Sequence, residues 1–382
     1  MGRRLGTVAT AAALAVSSAF VGLAVVGGSA GASTVTVPCT GTPTTDGAAL
    51  LTAVNAHADG DTVSLSAGCT YTLDTTGFDS FTDSLTVQGN GATINRSSAI
   101  GFRFFDVESG GHLTVNDLTF SNGAPDGDGG AIFTYDASLS ISNSTFTGNA
   151  GGDGGAIAVE GSAGVVTITG STFSGNSASN DGGALHDDTT MVVINSTFTG
   201  NSAPAGGAFY DNQASGPATL INDTFSGNTT TTVGAGQGAV ENRTPTSSTV
   251  TLTNSIVSNN AGNNCGATDI TDGGYNLENG TSCAFADHAV DADPALGALA
   301  GNGGPTQTMA ITSTSPAHDV ANLAVCEASN PTGAGGLDQR GLTRTPSGTE
   351  TACDIGAFEL QVAAAPVPPA AAPVAIAPAF TG

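Results

Sequence analysis

VVTITGSTFSGNSASNDGGALHDDTT, residues 165–190, holds three short strand-like runs and no helical periodicity. Val166-Thr167-Ile168 alternates apolar and polar side chains, Thr172-Phe173 sets one aromatic after a polar turn, and Gly182-Gly183-Ala184-Leu185 ends on an aliphatic residue. The same order precedes it at 113–138 and 139–164 and follows it at 191–216 and 219–244. The landmark phenylalanines, Phe120, Phe146, Phe173, Phe198 and Phe225, stand 26, 27, 25 and 27 residues apart. A period of this length, built from alternating runs split by Gly, Asn and Ser, describes a solenoid whose unit is one turn of chain. One turn cannot bury its apolar face alone, so it must stack on the next.

Stacking in parallel sheets, with strands about 4.8 Å apart, sets equivalent side chains above one another. The phenylalanines then form an aromatic ladder. Asn149, Asn176, Asn201 and Asn228, each three residues further on, form an amide ladder in which each side chain bonds the next. The pairs Gly129-Gly130, Gly154-Gly155, Gly182-Gly183 and Gly206-Gly207 mark a corner that turns without a Cβ. The predicted fold class is all-β: a right-handed parallel β-helix, a pectin-lyase-like solenoid, over residues 62–290.

The rest of the chain fits an exported solenoid. Arg3 and Arg4 precede an apolar run from Val8 to Val26, and Ala30-Gly31-Ala32 supplies small residues for cleavage, which is the pattern of a secretory signal peptide over 1–32. Its removal leaves five arginines, no lysine and 32 acidic residues, a charge of −27. That balance argues against nucleic acid and anionic membrane surfaces, both of which need basic side chains. Divalent cations, basic proteins and neutral glycans remain as partners. Six cysteines in such a chain read as a disulfide framework. Many connectivities are open, and their distribution favours local closure: Cys39 with Cys69, Cys265 with Cys283, and Cys326 with Cys353. The bonds would pin both ends and leave the repeats free of cysteine.

Within an N-terminal cap at 33–61, the segment TDGAALLTAVNAHA puts Ala48, Leu51, Val54 and Ala58 at helical spacing. A short helix over 46–58 would cover the open edge of the first coil. After the repeats, Val257 takes the phenylalanine position and the chain leaves the period in the Cys-containing segment 264–285. A C-terminal region at 291–362 and a Pro/Ala-rich spacer at 363–382 follow.

Gly-Gly-Ala followed by Ile132, Ile157 or Leu185, together with Phe-x-x-Asn at Phe146, Phe173, Phe198 and Phe225, resembles the repeat of the polymorphic outer membrane proteins, a family of β-helical surface adhesins. Phe209, Gln237 and the missing Asn after Phe120 depart from that motif. The C-terminal region resembles that of secreted β-helix proteins with a choice-of-anchor domain. The resemblance rests on Asp293-Pro294, Gly303-Gly304-Pro305, Ser315-Pro316-Ala317, Asp338-Gln339-Arg340-Gly341, Arg344 and Asp354-Ile355-Gly356-Ala357-Phe358-Glu359. These resemblances imply a surface-attached solenoid. By their chemistry, Arg340 and Arg344 among Asp338, Asp354 and Glu359 read as an ion-pair clasp sealing the last coil. The final Pro378-Ala379-Phe380-Thr381-Gly382 resembles a sortase recognition pentapeptide with Pro in place of Leu.

Parallel β-helices also carry polysaccharide lyases and glycoside hydrolases, so fold alone does not decide function. A lyase needs a base and a cation to neutralise a uronate. With lysine absent, Arg103, Arg243, Tyr135, Tyr210, His112 and His186 are the groups available, and His186 precedes Asp187 and Asp188. A hydrolase needs two carboxyl groups about 5 Å or about 6.5–9.5 Å apart. Two acidic columns offer them: Asp136, Glu160, Asp187, Asp188, Asp211 and Glu241 after the Gly-Gly-Ala strand, and Asp128, Asp153 and Asp181 before the glycine corner. His186, Asp187, Asp188, Asp211 and Glu160 are the candidate catalytic set. Stacked like charges repel unless a cation intervenes, so Asp128, Asp153 and Asp181 are candidate Ca²⁺ ligands, with ordinary Asp-Gly turn chemistry as the preferred alternative. The expected function is that of a monomeric, secreted or wall-attached protein that binds a polysaccharide or another cell-surface ligand without catalysis. The basis is that no single coil gathers unusual polar residues. A lyase or glycosidase is the alternative.

Overall fold

Three lanes of parallel strands run side by side along a solenoid whose core is one continuous apolar column. The computed structural model describes residues 25–26, 32–212, 216–232, 237–243, 248–266, 270–286, 292–344 and 351–361. The signal peptide, but for Val25–Val26 and Ala32, and the 363–382 spacer with its sortase-like end lie outside the described residues. In the first lane Val63, Val87, Val115, Ile141, Ile168, Val193, Leu220 and Leu252 stack in register, all buried. In the second, Ile94 leads into the five phenylalanines and then Val257. In the third, Phe105, Ile132, Ile157, Leu185, Phe209, Val240 and Cys265 face inward. A short fourth lane joins Ala150–Gly151, Ser177–Ala178, Ser202–Ala203 and Thr229–Thr230.

Both expected ladders are present. Ring centroids from Phe120 to Phe225 lie 5.0, 4.8, 4.8 and 4.5 Å apart, close to the strand spacing that imposes them. Asn149, Asn176 and Asn201 each donate Nδ2 to the next amide's Oδ1 at 2.9–3.0 Å and to a phenylalanine carbonyl of the preceding turn. At the glycine corner Gly182 has φ +66, and a Cβ on Gly183 would collide with the Gly207 carbonyl of the next turn. Only glycine satisfies both demands.

A third ladder was not foreseen. At the corner between the first two lanes, Asn143, Asn195, Asn222 and Asn254 adopt left-handed φ of 50–54°. After each comes a hydroxyl or carboxylate that accepts a backbone N–H one turn back: Ser144 from Leu118, Ser196 from Ser171, Asp223 from Ser196 and Ser255 from Asp223. On the intervening turn Gly170 (φ +60) takes the asparagine's place and Ser171 accepts Ser144 N.

At the N-terminal end the helix spans Pro43–Asn55 and buries Gly47, Leu50, Ala53 and Val54. The stripe read from sequence was out of phase: Ala48 and Ala58 are exposed and Leu51 half-buried. Small alanines on both faces blur the hydropathy signal, and Gly47 sets the phase instead, because only a residue without Cβ can lie against the Thr72 carbonyl. All three disulfides pair as expected: Cys39–Cys69, Cys265–Cys283 and Cys326–Cys353.

The C-terminal clasp forms, but it does not seal the last coil. Arg340 pairs with Asp338 at 2.7 Å and Arg344 with Glu359 at 3.3 Å, while the surrounding segment lies lengthwise along the first-to-second-lane corner. Gln339 Nε2 donates to Thr172 Oγ1 (2.9 Å), Arg344 Nη2 to Asn195 Oδ1 (2.9 Å), Ala357 N to Thr224 Oγ1 (3.0 Å) and Asn322 N to Asn254 Oδ1 (2.9 Å). Successive turns thus each offer this strap a side-chain partner. Ile256 and Leu277 join it through a second apolar cluster with Ile311, Cys326, Ile355 and Phe358.

Candidate functional site

Side chains alternate in and out along each third-lane strand. The outward position stacks Asp106, Phe133, Ala158, His186, Tyr210 and Glu241. His186 Nε2 lies 3.4 Å from Asp188 Oδ1, and its ring stacks on Tyr210 at 5.7 Å. Arg243 Nη1 donates to the Tyr210 hydroxyl (3.3 Å), which also hydrogen-bonds Asp181. Glu241 Oε2 accepts Gly206 N at 3.0 Å. Glu160, stacked beside the exposed Tyr135, adds a carboxylate. No single coil gathers these groups, as expected, yet stacking brings them together across coils. They come from five consecutive turns, each with an unremarkable share. Aligning Phe209 with Leu185 would have placed Tyr210 above His186, and that alignment was the available signal.

Burial raises the pKa of Glu160, and the charges of Asp128, Asp188 and Asp153 push the same way against His186. Burial and then Asp153 likewise raise Asp181, with His186, Arg243 and the Tyr210 hydrogen bond opposing. For His186 burial works against the charged form, but its contact with Asp188 and the charges of Asp188, Asp153 and Asp181 prevail, so its pKa lies above the ordinary imidazole value. Burial pushes Tyr210 up to about 12 despite the hydrogen bond from Arg243. The face therefore combines carboxyls whose surroundings favour the protonated form with an imidazole whose neighbours favour the charged form.

The five candidate catalytic residues divide. Glu160, His186 and Asp188 lie on the outward side of the lane, Glu160 half-buried and His186 and Asp188 buried together with Tyr210 beneath the rim formed by the exposed Tyr135 and Arg243. Asp187 and Asp211 point into the solenoid, stacked on one another in register with Val159 and fully buried. A polymer on the surface does not reach them. Asp187 Oδ1 accepts Thr189 N at 2.9 Å, whereas its Oδ2 has no partner among the described residues. Burial, opposed by Thr189 and reinforced by Asp211, lifts its pKa to about 8. A raised native pKa means stability that is complete below the unfolded value of 3.8 and is lost as pH rises through about 8. Asp187→Asn keeps the Thr189 acceptor and turns an N–H toward Asp211. Its thermal midpoint should exceed wild type at pH 8 and converge with it near pH 4, and parallel curves would remove Asp187 as the cause.

The second acidic column is knit into the backbone. Asp153 N donates to Asp128 Oδ1 (2.7 Å), and Asp181 N to Asp153 Oδ1 (3.2 Å). Among the described residues no three His, Cys, Asp or Glu side chains are grouped to hold a metal ion. Asp136 accepts Ser162 N at 2.7 Å in a turn, and His112 contacts Ser140 Oγ at 3.3 Å. Arg103 pairs with Asp106 (3.1 Å) and lies over the Phe133 ring (4.6 Å), at the N-terminal end of the outer face.

Residues 105–285 match the family model described as a right handed beta helix region. With the three stacked lanes, this defines the chain as a right-handed parallel β-helix. No curated protein and no solved structure matches it. Three disulfides, and the lack among the described residues of a helix long and apolar enough to cross a membrane, are compatible with an extracellular setting.

Proposed function

We propose that the protein is exported and binds a neutral polysaccharide along the outer face of the third lane. The observation that carries this is the convergence, on consecutive turns of one face, of the exposed Tyr135 and Arg243 and the half-buried Glu160 and Asp181, held from beneath by the buried His186, Asp188 and Tyr210. A sugar unit is about as long as the ~4.8 Å strand spacing, so a chain lying along the axis meets one polar set per unit. Carboxylates outnumber cations on this face, which disfavours uronates and thus a lyase. The signal-like N-terminus and the disulfides support export, and the C-terminal resemblance supports wall attachment.

Glycoside hydrolysis is the second reading, favoured by the raised pKa of both Glu160 and Asp181, since leaving-group protonation calls for a carboxyl whose surroundings favour the protonated form. One experiment separates them: affinity electrophoresis and reducing-end release on soluble xylan, mannan, laminarin and polygalacturonate, with Ca²⁺ and with chelator. Retardation by a neutral polymer, weakened at least tenfold by Asp188→Asn and without new reducing ends, supports binding. Reducing ends abolished by Glu160→Gln establish the hydrolase. Retention by polygalacturonate alone sinks both, and a loss of binding in chelator would assign Ca²⁺ a part.

A further inference from the structure

Three turns beyond His186, where the solenoid ends, the amide ladder opens into a pocket of about 490 Å³. Asn228 donates to Asn260 Oδ1 (3.0 Å) and Asn260 to Asn264 Oδ1 (3.0 Å). Asn264 Nδ2 forms the floor, reaching Glu278 Oε1 (3.2 Å) and Asn279 Oδ1 (3.1 Å). On the wall Asn279 Nδ2 donates to Asn259 Oδ1 (2.7 Å), and Asn263 Nδ2 to the Gln237 carbonyl (3.0 Å). Asn259 Nδ2 and Asn263 Oδ1 are left without a partner among the described residues, with the exposed Thr281 at the rim. A Cβ on Gly280 would stand 3.1 Å from Glu278 Oε1, so the glycine keeps the floor clear.

We propose that this pocket binds one unit of a neutral sugar. A primary amide presents donor and acceptor side by side, matching the adjacent hydroxyls of a pyranose. The lining contains no cation to hold a phosphate or carboxylate, and its single charge, Glu278, repels anions. It contains no aromatic or aliphatic side chain to hold an apolar ligand. The volume suits a small ligand. The wall is fixed in advance: Glu278 accepts Ser282 N (2.9 Å), Ser282 Oγ (2.6 Å) and Cys283 N (2.9 Å), and the Cys265–Cys283 disulfide ties that loop to the last third-lane strand. Preorganisation of this kind lowers the cost of binding.

The inference stands apart from the third-lane site, so its test is run in a Glu160→Gln, Asp188→Asn background that silences that face. Saturation-transfer NMR is recorded on the purified protein with methyl β-glucopyranoside, methyl β-galactopyranoside, methyl α-mannopyranoside and N-acetylglucosamine, and with glucuronate as the anionic control. Transfer to at least one neutral sugar, absent for glucuronate and lost on Asn279→Ala and on Thr281→Tyr, is the expected result. Thr281 is exposed, so its replacement blocks the rim while leaving the fold in place should the Asn279 variant fail to fold. Transfer to none of the neutral sugars, transfer that survives Thr281→Tyr, or equal transfer to glucuronate overturns the proposal.

Discussion

Arg344→Ala should lower the unfolding free energy by about 3–5 kcal/mol, the range for breaking a buried, hydrogen-bonded ion pair from one side. Arg344 is fully buried under the C-terminal strap. Its guanidinium donates to the Leu337 carbonyl (3.0 Å), the Asp354 and Gly356 carbonyls (3.1 and 2.6 Å), Asn195 Oδ1 (2.9 Å) and Glu359 Oε2 (3.3 Å). Among the described residues, truncation strands the Asp354 and Gly356 carbonyls and Asn195 Oδ1 and leaves the Leu337 carbonyl with Asn195 Nδ2 alone (2.9 Å). It also leaves Glu359 a buried carboxyl without its cation, held there only by Asp354 N (2.9 Å). Arg344→Lys should rescue little, because a point ammonium cannot serve acceptors spread around a planar fork. Urea unfolding followed by circular dichroism gives the size, and limited proteolysis gives the place: new cleavage should fall within 292–361 before the repeats are cut. An unchanged midpoint would mean that the strap rests on the solenoid without holding it.

What repeats was legible, and what crosses between repeats was not. Phe173 and Asn176 recur with the period, so their ladders follow from the sequence as soon as the turns are stacked. Asn195 also recurs, yet its bond to Arg344 joins residues 149 apart, and no periodicity reports it. The clasp chemistry of Asp338, Arg340, Arg344 and Glu359 was therefore readable while its seat along the corner was not. At the third lane the difficulty was phase. Asp187 and Asp188 are neighbours, but a two-residue side-chain period sends one into the core and the other to the outer face. His186, Tyr210 and Arg243 belong to different turns, so their meeting depends on register rather than on any local motif. The terminal pocket lay beyond the last regular repeat, where Asn264 bonds Glu278 and Asn279 outside the period.

Phe173→Ala should cost about 3–5 kcal/mol, the usual range for removing a buried phenylalanine, and should cost more than Phe225→Ala. Both rings are fully buried, so the apolar area each withdraws from water is similar. Their neighbours differ. Phe173 is stacked on both faces, 4.8 Å from Phe146 and 4.8 Å from Phe198 with interplanar angles of 4° and 3°. Phe225 has Phe198 on one side at 4.5 Å and Val257 on the other. A stacked aromatic pair adds about 0.5–1.5 kcal/mol beyond burial, so the two variants should differ by about one such pair. The hole at Phe173 also resists collapse, because backbone bonds on either side fix the spacing of the turns: Thr172 N donates to Ser144 O and Thr197 N to Ser171 O, both at 2.9 Å. In a solenoid each turn is stabilised through its two interfaces, and Phe173→Ala weakens the ring contact at both. Urea midpoints for the two variants and wild type, with unchanged slopes, measure the difference. Equal losses would show that the column is held by burial alone and that its stacked geometry follows from the strand spacing without adding to it.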